Sequence, residues 1–229
     1  MLYGGVSFAQ LGGALKDIEK HRWQKAEDRL RKSLARDALS PTVRYLLSVF
    51  YFDADNPASD LDSAYHYAVT ALDGYALSPA REREKLRRVS FDSLYLESWR
   101  AKIDSTAFGR ARQINTEAAY LDFLSAFPSA VQRDLAARLR DEVAYQEALR
   151  QNTYTAFLDF LNRYPDAVRA SEARANYERL LYTAETGDQR LASFERFLKN
   201  HPESPYRPAV YRNIFEISTA DGSVGSLLS

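Results

Sequence analysis

The chain has 229 residues, of which 45% are hydrophobic and 27% charged, a composition typical of folded globular proteins and not of disordered ones. Lys plus Arg (31) equals Asp plus Glu (31), so no net charge attracts nucleic acid or an anionic membrane surface. Cysteine is absent, which excludes disulfide bonds and thiolate metal sites. Glycine is scarce and no alternating strand pattern recurs, so the sequence predicts an all-α fold.

Residues 1–9 are interpreted as a possible signal-peptide remnant. Ser7 and Ala9 are small residues at the −3 and −1 positions that a signal peptidase recognises, with cleavage before Gln10. No basic region precedes them and the apolar stretch is short, so a simple apolar N-terminal arm is an equal alternative. The first interpretation favours a periplasmic or exported protein, and the alternative location is the cytoplasm.

Residues 10–79 contain a repeat with an offset of 38. The tetrapeptide ALSP at residues 38–41 returns at 76–79. Apolar residues of the two copies align at the same offset, which predicts paired helices. The apolar run Tyr45–Phe52 is too short to span a bilayer. The aligned residues are Ala26, Leu30 and Leu34 in the first copy and Ala64, Ala68 and Leu72 in the second.

The stretch DADNPASDLD at residues 53–62 has some features of a calcium-binding loop. Asp53 and Asp55 have the spacing of the first two ligands, but the required glycine and the bidentate glutamate are both missing. We therefore expect a turn in which Ser59 or Asp60 caps the helix that follows.

Residues 80–114 fit the repeat poorly, and an irregular, longer helix pair is expected there. The basic run Arg81–Arg88, REREKLRR, could contact phosphates. Its glutamates alternate with the basic residues and no aromatic residues are interleaved, so the pattern favours a solvated helix face.

Residues 115–229 repeat with a period of 37. The octapeptide LDFLSAFP at 121–128 recurs as LDFLNRYP at 158–165, and a third copy reads ERFLKNHP at 195–202. A regular period of this length is typical of helical repeat proteins, in which each unit buries its apolar face against the next.

The first helix of each unit is predicted from the spacing of its apolar residues. In the first copy they fall at i, i+3, i+4 and i+7, which is one face of a helix. Asn115-Thr116 supplies a capping oxygen at the start, and the proline after the last apolar residue ends the helix. The residues of this face are Tyr120, Phe123, Leu124 and Phe127.

The second helix of the unit is predicted at roughly Val131 to Leu149, antiparallel to the first. Neither helix would persist alone, because isolated helices of about 12–15 residues are marginal in water. The two are therefore expected to pack through their apolar faces. The expected core face of the second helix consists of Leu135, Leu139 and Val143 with the small Ala136.

The pattern A-(Y/F)-x-x-F-L-x-x-(F/Y)-P resembles the tetratricopeptide repeat (TPR), in the variant found in bacterial periplasmic and outer-membrane assembly lipoproteins. The period of 37 to 38 departs from the usual 34, and the glycine typical of the first TPR helix is missing. The stretch Trp23–Leu34 looks like the second helix of an earlier unit. The matching residues are Ala119, Tyr120, Phe123, Leu124, Phe127 and Pro128, then Ala156, Phe157, Phe160, Leu161, Tyr164 and Pro165, then Phe194, Phe197, Leu198 and Pro202.

The resemblance implies a right-handed α-solenoid of antiparallel helix pairs, a TPR-like superhelix whose concave groove binds a protein or an extended peptide. It implies no enzymatic activity. The chain is accordingly divided into a possible signal-peptide remnant (1–9), TPR-like helix pairs (10–79), the irregular longer helix pair (80–114), and TPR-like repeats of period 37 with the last one truncated (115–229).

Four polar residues are candidates for contact with the partner in this groove. They lie opposite the expected core face of the helix at Val131 to Leu149 or at counterpart positions in later units. We expect a protein or peptide partner, no nucleic acid, no integral membrane segment and an association with the cell envelope. The four candidates are Arg138, Glu142, Arg179 and Arg212.

No catalytic, cofactor-binding or metal-ligating motif is recognised. His21, His66 and His201 lie far apart and have no metal-ligand spacing. His201 takes the position of Phe127 and Tyr164 in the repeat, so a packed ring at a helix end is expected. An all-helical hydrolase with an unrecognised site is kept as an alternative.

The last residues, Thr219 to Ser229, resemble Thr183 to Phe194, where a new repeat begins, and then the sequence stops. Solenoids normally end in a polar capping unit. We therefore expect the native protein to continue. The alternative function is that of an N-terminal interaction region in a larger protein, whose missing C-terminal domain carries the enzymatic or cell-wall-anchoring activity.

Overall fold

The computed structural model describes residues 12–220, except the side chain of Ala220, and this part of the chain contains twelve α-helices and no strand. The all-α prediction is confirmed. The predicted signal-peptide remnant at 1–9 and most of the stretch 219–229 lie outside the described residues. The helices are α1 Gly12–Glu19, α2 Trp23–Arg36, α3 Pro41–Phe52, α4 Leu61–Leu77, α5 Ala80–Arg87, α6 Ser93–Ile114, α7 Glu117–Ala126, α8 Arg133–Gln151, α9 Tyr154–Arg163, α10 Ala170–Thr186, α11 Leu191–Asn200 and α12 Arg207–Ala220.

The chain forms two compact units, the first ending at Ala137 and the second beginning at Arg138. The division falls inside α8. The predicted segment boundaries after residues 79 and 114 coincide with the start of α5 and the end of α6. Between these boundaries α5 has 8 residues and α6 has 22, so the two helices differ greatly in length.

The helix boundaries repeat at the predicted interval of 37 residues. The first helix of each pair has 10 residues in all three copies. The second helix follows after the same short turn each time. The first helices begin at Glu117, Tyr154 and Leu191, and the second helices begin at Arg133, Ala170 and Arg207.

The Asn-Thr pair ends one helix and begins the next. Asn152 adopts a left-handed conformation (φ 49°), which asparagine tolerates better than most residues, and so terminates α8. The hydroxyl of Thr153 then accepts a hydrogen bond of 3.2 Å from the N–H of Ala156 at the start of α9. Asn115 and Thr116 do the same at the start of α7, so the predicted cap is confirmed in both copies.

A shared turn follows the first helix of each pair. In the second copy the N–H of Tyr164 donates to the carbonyl of Phe160 (2.8 Å), and the N–H of Ala167 donates to that of Tyr164 (3.2 Å). Pro165 cannot continue the helix, since it lacks an N–H and its ring keeps Tyr164 out of the α conformation. The same two bonds form at Phe127 and Ala130 in the first copy and at His201 and Ser204 in the third.

The repeated aromatic residues are buried, as predicted. Phe123, Phe160 and Phe197 expose 3%, 0% and 0% of their surface. In the second unit Phe160 packs against Tyr145 of α8, with 5.6 Å between the ring centroids in an edge-on arrangement that aromatic pairs favour. Each such ring contributes roughly 1.5–3 kcal/mol by leaving water.

The predicted core face of α8 is wrong in part. Ala136 is fully buried, but Leu135 is 45% exposed and Leu139 and Val143 are only half-buried. In the second unit the buried residues of α8 are instead Ala144, Tyr145 and Ala148. This is the face of α8 that packs against Phe157 and Phe160 of α9 and against Ala173 of α10.

The first unit is centred on α3, whose apolar run Tyr45–Phe50 is buried on every side and packs against α2 and α4. Its two hydroxyl groups are satisfied: that of Tyr45 hydrogen-bonds to the hydroxyl of Tyr95 (2.6 Å), and that of Ser48 donates to the carbonyl of Ala64 (2.7 Å) and accepts from the indole of Trp99 (2.8 Å). The predicted offset of 38 relates the starts of α2 and α4. The aligned residues Ala26, Leu30, Ala64 and Ala68 are all buried.

Candidate functional site

A cleft of about 670 Å³, here called the first cleft, opens in the first unit between the second half of α6, α7 and the first turn of α4. Ala107 and Ala111 lie at i and i+4 and therefore share one face of α6, from which their methyl groups line the cleft beside Arg110 and Ile114 of the same helix. Phe123 of α7 closes the floor, and the exposed side chains of Ile114 and Asp122 stand at the rim.

A smaller cleft of about 210 Å³, the second cleft, lies in the second unit between α8 and α9. Every residue that lines it is 37 positions after a residue that lines the first cleft. The two clefts are therefore the same feature in two successive repeats. The lining residues of the second cleft are Ala144, Glu147, Ala148, Gln151, Thr155, Ala156, Asp159 and Arg163.

The two clefts differ in their lining: the first has a wall from the start of α4 that the second lacks, and their rims carry different side chains. In the second cleft Asp159 accepts hydrogen bonds from Arg163 one turn later, at 2.9 Å from Nε and 2.8 Å from Nη2. Glu147 accepts bonds from Arg150 and from Gln151. The residues corresponding to Gln151, Thr155 and Arg163 are smaller or apolar in the first cleft, namely Ile114, Ala118 and Ala126.

The first cleft has an acidic rim. Asp60, Asp62 and Asp122 line it together with one cation, Arg110, which leaves two formal negative charges. Asp60 is the N-cap of α4 and accepts a 2.9 Å hydrogen bond from the N–H of Ser63. Hydrogen bonding to Ser63 lowers the pKa of Asp60, so this carboxylate is ionised at neutral pH.

The corresponding position in the third repeat, between α10 and α11, is occupied by larger groups. Leu181 and Glu185 stand where the first two repeats have alanine. The carboxylate of Glu185 lies 3.1 Å from Nε2 of His201, whose ring packs 4.9 Å from that of Phe197. The predicted packed ring of His201 at a helix end is therefore confirmed.

The four residues predicted to contact the partner do not line either cleft. Arg138 and Glu142 are one turn apart on α8, and Glu142 forms a 3.3 Å ion pair with Arg169. Arg179 is exposed on α10 and donates to Asn176 (3.2 Å), and Arg212 is exposed on α12. The four residues nevertheless occupy only two positions of the repeat. Arg212 follows Arg138 by two periods of 37 residues, and Arg179 follows Glu142 by one period.

The other sequence candidates are ordinary structural features. Asp60 caps α4, as one of the two predicted residues. In the basic run Arg81–Arg88, Glu84 pairs with Arg87 and Arg88 at 3.8 and 3.7 Å on an exposed face. Between residues 12 and 220 no three His, Asp or Glu side chains are grouped so as to hold a metal ion. None of the helices described has the length and apolar character needed to cross a membrane.

Comparison with known proteins adds no relative. No model of a known protein family, no curated protein and no solved structure matches this chain.

Proposed function

We propose that this chain is a non-enzymatic protein–protein interaction scaffold, and that the first cleft holds a segment of the partner protein. The supporting observation is the return of the cleft at equivalent positions in two successive repeats. The volume of about 670 Å³ falls within the range of about 300–1,000 Å³ typical of ligand pockets. The small side chains of Ala107 and Ala111 on α6 allow a backbone or an aliphatic side chain to approach closely, which larger residues would prevent.

An extended segment fits the dimensions of the cleft. The α7 wall has 10 residues and is therefore about 15 Å long. Four or five residues of extended chain, at about 3.3 Å each, cover that length. An apolar floor with a polar rim is also the usual organisation of a protein–protein interface.

The regular period and the alternation of short and long helices support a further proposal on architecture. It is that the helix pairs form a right-handed α-solenoid of the TPR type, working in the bacterial cell envelope. The residues Ser7 and Ala9 favour the envelope location, and fractionation of cells that express the full open reading frame would test it.

A second proposed contact surface consists of Arg138, Glu142, Arg179 and Arg212. The period of 37 places them at two equivalent positions of successive helices, so they would present one repeated polar face. Replacing them with alanine is expected to weaken partner binding and to leave the melting temperature unchanged. Equal losses of binding and of thermal stability would contradict this surface.

The first cleft is tested by selecting phage-displayed random 12-residue peptides on the immobilised chain. Ala118 is exposed and lines the cleft, so Ala118→Trp fills it without disturbing the core. Ala101→Trp is the matched control, because Ala101 is exposed on α6 and does not line the cleft.

Selected peptides are expected to lose at least about tenfold in affinity for Ala118→Trp and to bind Ala101→Trp within about twofold of the unmodified chain. Equal binding to both variants would refute the assignment, as would a selection that enriches no peptide.

A further inference from the structure

We propose that the first cleft binds a basic side chain of the partner segment, Lys or Arg, at Asp122. This inference rests on the proposed function and names the chemistry of its ligand. The second cleft provides the internal comparison, because each of its lining residues corresponds to one of those that line the first.

In the second cleft the acidic position is neutralised from within the chain. The guanidinium of Arg163 binds the carboxylate of Asp159 through two hydrogen bonds, an i, i+4 pair on α9. Its side chain also covers the edge of the cleft, and Arg163 is one of the lining residues. The carboxylate of the second cleft therefore already has a cation beside it.

In the first cleft the same carboxylate has no such cation. Asp122 corresponds to Asp159, but the residue one turn later is Ala126 in place of Arg163. In the part of the chain that the structure describes, no hydrogen bond or ion pair joins Asp122 or Asp62 to another side chain. Ala126 leaves open the space that an arginine side chain takes in the next repeat.

The surrounding surface suits the whole of a long basic side chain. Lys and Arg have apolar stems that cover apolar surface while the charged end reaches polar groups. The stem would lie over Ala118 and Ala119, and the cation would reach Asp122 with Asp62 nearby on the rim. The charge is complementary, since the cleft has two formal negative charges in excess.

The test uses two fluorescein-labelled nine-residue peptides, one of alternating Ala, Leu and Lys and one with Gln in place of each Lys. Their affinities are measured by fluorescence anisotropy for the unmodified chain and for Ala126→Arg, which supplies the cation of the second cleft. Ala126→Gln is the matched control, because it adds a side chain of similar reach without charge.

The Lys peptide is expected to bind more tightly than the Gln peptide. Ala126→Arg is expected to weaken the Lys peptide about three- to fivefold, as is usual for one exposed ion pair, while Ala126→Gln changes it less than about twofold. Asp122→Asn is expected to weaken the Lys peptide by a similar factor. Raising the salt concentration to 0.5 M would reduce the preference.

The outcomes separate this inference from the proposed function. If both peptides bind equally and both lose affinity on Ala118→Trp, the cleft binds peptides but not a basic side chain, and the inference fails alone. If Ala126→Arg and Ala126→Gln weaken binding equally, the effect is steric and the inference also fails. If neither peptide binds while the selection enriches peptides that depend on Ala118, the inference again fails alone; if the selection also enriches no peptide, both proposals are refuted.

Discussion

Replacing Asp104 with asparagine tests how a buried charge affects the stability of the first unit. Asp104 lies on α6 with 3% of its side chain exposed, and Arg100 lies one turn earlier, 3.8 Å from the carboxylate. Burial raises the pKa of Asp104 to about 6, although the guanidinium of Arg100 opposes the rise. The folded state therefore retains a proton that the unfolded chain releases at a lower pH.

The direction of the pH effect follows from the two pKa values. Because the folded pKa is raised from 3.8 to about 6, the stabilising contribution is fully present below about pH 4 and is lost as the pH rises through 6. The difference between a pKa of 3.8 and one of about 6 corresponds to about 3 kcal/mol in the free energy of unfolding. Asp104→Asn removes this dependence, because asparagine carries no charge at any pH. At pH 7 the variant is expected to be more stable by about 1–2 kcal/mol and not by the full amount of about 3 kcal/mol, because Arg100 loses its ion-pair partner.

Urea denaturation followed by tryptophan fluorescence is the appropriate assay. Both tryptophans of the chain, Trp23 and Trp99, lie in the first unit, so the signal reports this unit. The variant and the unmodified chain are expected to have similar stability at pH 4 and to diverge by pH 7. A variant that is less stable at pH 7, or that shows the same pH dependence as the unmodified chain, would refute the reasoning.

Two further predictions concern the second unit and are measured by urea denaturation with circular dichroism. Phe160→Ala is expected to lower the free energy of unfolding by about 3–5 kcal/mol because Phe160 is fully buried, whereas Leu158→Ala, at a site 38% exposed, should cost less than about 1 kcal/mol. Similar effects of the two would contradict the assigned core face. Thr153→Ala removes the cap of α9 and is expected to cost about 1 kcal/mol and to speed amide exchange at Ala156; unchanged exchange would contradict the cap.

Much of the fold could be predicted because each repeat contains residues that start and end its helices. The Asn-Thr pair and the proline that follows Phe127 or Tyr164 act through local backbone chemistry, which sequence reveals directly. The spacing of Phe160 and its equivalents identifies a helix face without reference to any neighbour. These features placed the first helix of each pair at the right positions.

The core face of α8 and the clefts were not predicted, because they depend on how helices meet. Leu135 and Tyr145 both suit a core, and only the packing of α9 and α10 decides that Tyr145 is buried in the second unit. The clefts arise where Ala107 and Ala111 recur as Ala144 and Ala148. The available sequence signal for the clefts was a pair of alanines at i and i+4 that recurs with the period. This signal is ambiguous, because an alanine face can equally allow two helices to pack closely with no cleft between them.

Mapping of backbone amide chemical shifts tests the central claim most directly, by titrating the isotope-labelled chain with the Lys peptide. The largest changes are expected at the rim and α7 wall of the first cleft, around Ala118 and Asp122. Changes concentrated instead around Arg138 and Arg179, or spread evenly over the chain, would contradict the claim that this cleft is the binding site.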